Sequence, residues 1–205
     1  DDFNIGLTQS LFKLHPDFGI ILETILQEIN NANLILVKDI SDTNTNILRD
    51  RWLNRNKIIL ERSVFLERMG KDDFINITKS CDIMLDPFFF GSGNTFYESM
   101  AYGVPFITYP NNQKSIVPTA GYMQMNVEKP PIASSPEDYI NWCKMYSKDH
   151  SLLERTKKEL FEKANKYLFN DTNIYKDYYN FFKDAVYKAH KGESLNSYDY
   201  PQKSK

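Results

Sequence analysis

The stretch "LDPFFFGSGNTFYESMAYGVPFITYP", residues 85–110, changes character three times. It begins as an apolar run typical of a buried strand, passes through the small polar segment Gly91–Thr95, and ends as a second apolar run. The chain has eight glycines, and two of them lie in this segment. Glycine lets a ligand approach the backbone closely because it has no Cβ atom. The stretch therefore predicts a strand, a loop suited to a ligand, a helix and a second strand.

Apolar periodicity on both sides of this stretch alternates between the strand pattern and the helix pattern. Strands are predicted at 33–38, 57–61, 83–85 and 104–109, and an edge strand at 4–9. Helices are predicted at 17–30, 41–56, 72–80, 95–102 and 115–125. Such alternation with short connections predicts an α/β fold, a Rossmann-like parallel sheet with helices on both faces.

The pattern becomes helical throughout after about Ser134. Helical spacing predicts helices at 136–147, 152–167 and 173–189, and the last of them is rich in aromatic residues and is expected to fold back over the domain. The final residues are polar and rich in Lys, Ser, Gly and Pro. We therefore predict one lobe with C-terminal helices over 1–190 and a flexible tail over 191–205.

The composition excludes several classes of function. A net charge of −2 gives no basic surface for nucleic acid. Cys81 and Cys143 are far apart and the three histidines are not clustered, so no metal site is predicted. The sequence contains no run of 18 apolar residues, so no membrane span is predicted. We expect a cytoplasmic protein that binds no nucleic acid and crosses no membrane.

Ligands of open parallel sheets collect at the carboxyl ends of the strands, where loops lead into helices. A helix that begins after Gly93 would direct the N–H groups of Asn94 and Thr95 towards an anion. Glu98 lies one turn further along the same face and could accept hydrogen bonds from ribose hydroxyls. The alternative is a simple turn with a helix cap and a solvated carboxylate, and the spacing alone does not separate the two.

Two other loops are predicted to face the same crevice. In "TQSLFKLHP", residues 8–16, Lys13 precedes a helix and could neutralise a diphosphate, although a lysine between apolar residues can also simply extend to solvent. In "FLERMGKDDF", residues 65–74, Gly70 and Lys71 lie between a predicted strand and a helix, where the alternative is an ordinary helix start. If the three loops converge, they form one binding crevice.

These three segments resemble the C-terminal catalytic lobe of the O-linked N-acetylglucosamine transferase-like glycosyltransferases, most closely the bacterial members with tetratricopeptide repeats. The resemblance runs with gaps from about Gln9 to Ala189. Its most specific part is the Asp-Pro-Phe, Gly-x-Gly-Asn-Thr, Glu and Gly-x-Pro series over 86–105. The resemblance implies a GT-B architecture, in which two Rossmann-like lobes face each other across a cleft and this lobe holds the nucleotide-sugar.

The resemblance also implies roles for individual residues. The family's diphosphate-binding lysine matches Lys13, which is the predicted catalytic residue, and its ribose-binding acidic residue matches Glu98. The loop that flanks the uracil in the family matches Met69 and Lys71. Further contacts with the nucleotide-sugar are implied for Gln9 or Ser10 and for the phosphate loop of Gly91, Ser92, Gly93, Asn94 and Thr95.

The implied activity is inverting, metal-independent transfer of a hexose or N-acetylhexosamine from a UDP-sugar. The expected acceptor is a protein, and a glycan is the alternative acceptor. No cofactor beyond the donor substrate is expected. The family has an N-terminal lobe and repeats upstream, so this chain is expected to hold half of the active site. Two alternatives stay open: a lobe that uses another nucleotide-sugar, and a non-catalytic interaction module. Ile116, where the family often has arginine, favours the latter.

Overall fold

The structure is a computed structural model, and it describes residues 2–111, 114, 116–169 and 173–195. The chain divides into two compact units, Asp1–Phe169 and Asn170–Lys205. The first unit is built on a five-stranded sheet in which every pair of neighbouring strands is parallel. The strands are β1 (Phe3–Gly6), β2 (Ala32–Val37), β3 (Ser63–Leu66), β4 (Ile83–Leu85) and β5 (Phe106–Ile107).

Helices connect these strands and continue the unit after the sheet is complete. A short 3-10 helix, Leu11–Lys13, follows β1. The α-helices of this unit are α1 (Pro16–Glu28), α2 (Asp42–Arg55), α3 (Lys57–Glu61), α4 (Lys71–Ser80), α5 (Asn94–Met100), α6 (Val117–Met125), α7 (Pro136–Lys148) and α8 (His150–Tyr167).

The buried side chains of the first unit form two apolar clusters, and successive residues of a strand belong to different clusters. Leu34 and Leu36 of β2 pack in one cluster, together with residues of α1, α2, α3 and α7. Ile35 of the same strand packs against the other cluster, which contains Met84 of β4 and residues of α5, α6 and α8. Successive strand residues point to opposite faces of a sheet. The sheet therefore has a core on each face, and the predicted Rossmann-like α/β fold is confirmed.

The strand order is β3-β2-β1-β4-β5, which places β1 at the centre of the sheet. The order reverses between β1 and β4, where Ile5 lies beside Ile83 and Gly6 beside Met84. Loops that leave such neighbouring strands run to opposite sides and open a crevice at the carboxyl ends. The strand predicted at 4–9 is present as β1, but its expected place at the edge of the sheet is wrong, because β1 has a partner on each side.

The segment Lys57–Glu61, predicted as a strand, forms helix α3. A short run of consecutive apolar residues fits a buried strand and a buried helical turn equally well, so the pattern did not separate them. In the structure Ile59 is fully buried, and the N–H of Arg62 donates to the carbonyl oxygen of Ile58 at 3.1 Å. The strand forms downstream at Ser63–Leu66, where it pairs with β2.

The other predicted elements of the first unit are present, with small shifts at their ends. The largest change is in β5, which is confined to Phe106–Ile107 instead of 104–109. Pro105, which has no N–H group, precedes this strand. Thr108 after it forms an isolated bridge with Ile132. Within the residues that the structure describes, no helix is long and apolar enough to cross a membrane.

The second unit contains helix α9, Ile174–His190, close to the predicted 173–189. None of its described residues is buried. Its packing over the domain and the domain boundary at residue 190 stay predictions. Residues 191–195 are exposed, and the rest of the predicted tail lies outside the described residues.

Tyr122 of α6 completes the hydrogen bonding of β5. Its buried hydroxyl accepts the N–H of Phe106 and donates to the carbonyl oxygen of the same residue, both at 2.9 Å. We expect Tyr122→Phe to lower the free energy of unfolding by about 1–3 kcal/mol, because both backbone groups lose their partner in a buried site. Urea unfolding measures this. Tyr175→Phe, at a position 77% exposed, is the control and should change stability little.

Candidate functional site

A cavity of about 300 Å³ opens at the carboxyl ends of β1, β2 and β3. Residues at or shortly after the end of each of these strands line the cavity, together with Lys71 and Phe74 of α4 and Glu98 of α5. The predicted site residues that line this cavity are Gln9, Ser10, Met69, Lys71 and Glu98. Two of the three predicted loops, far apart in sequence, are thus brought to one cavity together with the carboxylate of α5.

The predicted residues Gly91–Thr95 are not part of the cavity wall. Lys13 connects them to it, because its ammonium donates to the side-chain oxygen of Gln9 at 3.0 Å and to the carbonyl oxygen of Gly91 at 3.3 Å. Gly91 and Ser92 are buried, whereas Asn94 is exposed. The glycine-containing loop therefore lies beside the cavity, on the other side of Lys13.

Two polar groups in the cavity wall are buried without a hydrogen-bond partner in the described part of the chain. They are the hydroxyl of Thr8 and the amide nitrogen of Gln9, whose residues are 7% and 4% exposed. Buried polar groups in folded proteins nearly always have a partner, and an exception calls for a bound ligand or water. The cavity thus presents two groups that a polar ligand can satisfy.

Lys13 is half-buried, beside Gln9 of the cavity wall. Burial lowers the pKa of Lys13 below its ordinary value, and the negative charge of Asp86 opposes this shift. The ring of Phe90 lies 4.5 Å from the ammonium, which adds a cation–π contact on one side. A partly desolvated ammonium interacts with an anionic ligand more strongly than a fully solvated one does.

The loop between β4 and α5 is fixed by its aromatic residues. Phe88 is buried, and its ring lies 5.0 Å from that of Phe18 and 5.2 Å from that of Tyr139. Phe89 has a φ angle of +74°, a conformation that non-glycine residues rarely adopt. Its ring lies 4.5 Å from that of His15. A strained residue held between such contacts indicates a loop whose shape is imposed by its surroundings.

Asp86, at the end of β4, has a fully buried carboxylate. One carboxylate oxygen accepts the N–H of Ser92 at 2.7 Å, and the other accepts the hydroxyl of Thr108 at 2.6 Å. The carbonyl oxygen of Asp86 accepts the hydroxyl of Tyr139 at 3.1 Å. These bonds tie the loop to Thr108, directly after β5, and to α7.

Helix α5 begins at Asn94, and its cap residue Gly93 has no side chain to bond the first N–H groups. A Cβ atom added to Gly93 would meet nothing within 4 Å, so the backbone here faces open space. The first N–H groups of any helix lack partners within the helix. The geometry therefore leaves room for an anion next to Asn94 and Thr95, which stays a prediction.

No protein-family model matches the sequence, and no curated protein matches it significantly. Solved structures do match. An O-GlcNAc transferase mutant from Thermobaculum terrenum has a TM-score of 0.77 at 19% identity, and the match covers 92% of this chain and 37% of that one. Anabaena Alr3699/HepE in complex with UDP and glucose has a TM-score of 0.61 at 18% identity, with coverages of 89% and 48%.

The chain has the fold of a GT-B glycosyltransferase lobe. The predicted resemblance is thereby confirmed for the fold. A UDP-GlcNAc 2-epimerase from Neisseria meningitidis, bound to UDP-GlcNAc, shares it with a TM-score of 0.54 at 12% identity, covering 77% of this chain and 39% of that one. The lobe spans less than half the length of each of these three proteins.

Several residues of the lobe's cavity were not predicted from the sequence. Thr8 lies between β1 and the predicted Gln9, and Lys38 and Asp39 follow β2. The rule that ligands bind at the carboxyl ends of strands could have identified all three, because Thr8 and Lys38 lie at the ends of predicted strands and Asp39 directly after one. Asp86 was predicted only as part of a motif, and no sequence signal showed that its carboxylate is buried.

Two residues beside the loop, His15 and Lys114, contact Phe89. His15 accepts the N–H of Asp17 at 3.2 Å and so caps α1, which gives it a structural role. Ile116, where the family often has arginine, is 59% exposed. The neighbouring Lys114 donates its N–H to the carbonyl oxygen of Phe89 at 3.0 Å, which places a basic residue beside the loop. Ser115 lies outside the described residues.

Neither a metal centre nor a reactive thiol is found in the lobe as described. Across residues 2–111, 114, 116–169 and 173–195, no three His, Cys, Asp or Glu side chains are grouped so that they could hold a metal ion. Cys81 and Cys143 are buried as free thiols. Burial raises the pKa of Cys81 to about 12, so this thiol is not a nucleophile at neutral pH.

Buried Thr8 and Thr108 allow a matched test of the unpartnered hydroxyl. Thr8→Val removes a hydroxyl that has no partner among the described residues, so we expect the free energy of unfolding to rise by about 1 kcal/mol. Thr108→Val removes a partner of the buried Asp86 carboxylate, so we expect a loss of about 1–3 kcal/mol. Urea unfolding of the ligand-free protein measures both. Equal destabilisation by the two changes would show that the Thr8 hydroxyl is satisfied in the folded protein.

Proposed function

We propose that the chain is the donor-binding lobe of a glycosyltransferase that uses a UDP-sugar. The observation that carries this proposal is the pair of buried groups of Thr8 and Gln9 in the cavity wall, which have no partner among the described residues, beside the ammonium of Lys13, which donates to Gln9. The two groups favour a ligand with polar edges, and the ammonium favours an anion beside it. The nucleotides and sugars bound to the Anabaena and Neisseria proteins of the same fold have this chemistry.

The cavity volume supports a division of the ligand between the cavity and the loop. At about 300 Å³ the cavity is at the lower end of the range for small-molecule sites, so it fits a nucleoside better than a whole nucleotide-sugar. We place the uracil against Met69 and Lys71 and the ribose hydroxyls at Glu98. The diphosphate then extends past Lys13 towards Asn94 at the start of α5.

In the proposed reaction an acceptor hydroxyl attacks the anomeric carbon of the sugar, and the bond from that carbon to the diphosphate breaks with its electron pair on UDP. Lys13 and the N–H groups at the start of α5 stabilise the negative charge that develops on the leaving diphosphate. Because Lys13 supplies a cation, we propose that the transfer needs no metal or cofactor. A single displacement of this kind inverts the anomeric carbon.

The other half of the active site is proposed to lie in an N-terminal lobe, with tetratricopeptide repeats upstream that bind a protein acceptor. The sugar is proposed to be a hexose or N-acetylhexosamine. This proposal rests on the family resemblance and on the share of the Thermobaculum terrenum protein, 37%, that the chain spans. The acceptor hydroxyl would lose its proton to a base of that other lobe. The cytoplasmic location stays a prediction.

Lys13→Ala tests the placement of the diphosphate. A hydrogen bond to a charged group contributes about 1.5–3 kcal/mol, so we expect the Kd for UDP to rise about ten- to a hundredfold. Isothermal titration calorimetry of the full chain with UDP measures the change. With UMP, which lacks the second phosphate, the loss should be smaller.

Lys148→Ala, an exposed lysine at the end of α7, is the matched control and should leave the Kd for UDP unchanged. If the wild-type chain binds no UDP, the proposed function fails. Tighter binding of GDP than of UDP would favour the alternative of a lobe that uses another nucleotide-sugar. Undiminished UDP binding by Lys13→Ala would remove Lys13 from the site.

A second candidate is epimerisation of a UDP-N-acetylhexosamine, which the similarity to the Neisseria meningitidis epimerase favours. The two reactions differ in their products. With UDP-GlcNAc and a protein or glycan acceptor, the full-length protein is expected to release UDP in step with glycosylated acceptor. Formation of the C2 epimer without an acceptor, followed by proton NMR, would instead support the epimerase.

A further inference from the structure

We propose that Asp86 is a positioning residue of the nucleotide site, whose buried carboxylate orients the Gly91–Ser92 peptide and provides the negative charge that faces Lys13 across it. The inference rests on the proposed function, since Lys13 is taken to bind the diphosphate. It concerns a residue that does not line the cavity and that acts on the ligand only through Lys13 and the loop.

The geometry that supports this is a chain of two hydrogen bonds through one peptide group. The ammonium of Lys13 donates to the carbonyl oxygen of Gly91 at 3.3 Å. The N–H of Ser92, in the same peptide group, donates to a carboxylate oxygen of Asp86 at 2.7 Å. The negative end of the peptide dipole therefore faces the cation and its positive end faces the anion. Each charge stabilises this orientation, and hydrogen bonds in such a chain strengthen one another.

The carboxylate itself cannot easily move. Asp86 is fully buried, and a charge in such a place is tolerated only with hydrogen bonds and an opposite charge. Thr108 binds the second carboxylate oxygen, the backbone N–H of Asp86 donates to Ile107 at 2.9 Å, and Tyr139 donates to its carbonyl oxygen. The side chain and the main chain are thus both fixed, and the loop that carries Gly91 is fixed with them.

Other charged groups surround this part of the chain, but Asp86 is the one whose charge raises the pKa of Lys13. His15, on the same loop as Lys13, contacts Phe89. Arg51 of α2 donates to the carbonyl oxygen of Leu14 at 2.6 Å, and Glu98 of α5 lies in the cavity wall. Without the charge of Asp86, burial would lower the pKa of Lys13 further. The Lys13 ammonium would then lose its proton at a lower pH, and UDP would lose its positively charged partner at that pH.

The pH dependence of UDP binding tests this role. Asp86→Asn keeps the shape of the side chain and an oxygen that can accept the N–H of Ser92, but it removes the charge. We expect the loss of UDP affinity on the alkaline side to occur at lower pH in this variant than in the wild type. Calorimetric titrations of the full chain with UDP from neutral to alkaline pH locate that loss. The readout is the pH at which UDP affinity is lost. The affinity at neutral pH is not used, because there the variant also removes a repulsion between Asp86 and the phosphates.

Two further backgrounds separate charge from structure. Thr108→Val removes a hydrogen bond to Asp86 and keeps its charge. This variant should therefore lose its UDP affinity at the same alkaline pH as the wild type. In a Lys13→Arg background the guanidinium keeps its proton throughout the range, so Asp86→Asn should no longer shift the loss. Titration of the uracil ring is common to all these proteins and cancels in the comparison.

Three results would overturn the proposal. The first is that folded Asp86→Asn loses its UDP affinity at the same pH as the wild type. The others are that Thr108→Val shifts this pH as much as Asp86→Asn does, or that Asp86→Asn still shifts it in the Lys13→Arg background. If Asp86→Asn does not fold, Asp86→Ser, whose hydroxyl can also accept the N–H of Ser92, takes its place. Failure of both to fold would overturn a specific role in the site. Absence of UDP binding by the wild type would instead contradict the proposed function itself.

Discussion

The parallel pairing of β1 with β4 is the constraint on which the site depends. The strand order reverses between these two neighbours, so the loops that follow them diverge and leave a crevice at the carboxyl ends. The pairing brings the loop of Lys13 beside the loop of Gly91, although the two residues are 78 positions apart. If β4 lay anywhere else in the sheet, the lysine and the glycine-containing loop would not meet.

The two sides of Lys13 differ in how their polar groups are satisfied. On the cavity side, Thr8 and Gln9 keep buried groups without partners in the described part of the chain, which costs stability and leaves donors for a ligand. On the loop side, the Asp86 carboxylate is bonded by Ser92 and Thr108. The contrast has a physical basis: a ligand needs available groups in the wall that it touches, and a rigid support behind the loop that it approaches.

The sequence was most informative where local patterns and long-range pairing agree. The strand at 83–85 and the helices near 17–30 and 136–147 were predicted almost to the residue, because their apolar periodicity matches the faces they bury. At Lys57–Glu61 a short apolar run fitted two structures, and only pairing with β2 put the strand at Ser63–Leu66. Among the cavity residues, Lys38 and Asp39 were missed because they lie outside the three quoted segments, and Thr8 because no role was assigned to it within its segment.

The sequence by itself determined that this protein is an α/β lobe, and it located the three loops that carry its candidate site. Apolar periodicity and turn residues are local properties, so they can be read from neighbouring positions along the chain. Only the tertiary structure decided that β1 is central, that Lys13 and Asp86 act on opposite ends of one peptide, and that Thr8 and Gln9 lack partners among the described residues. Burial and hydrogen bonding depend on contacts between distant segments, which no local pattern encodes.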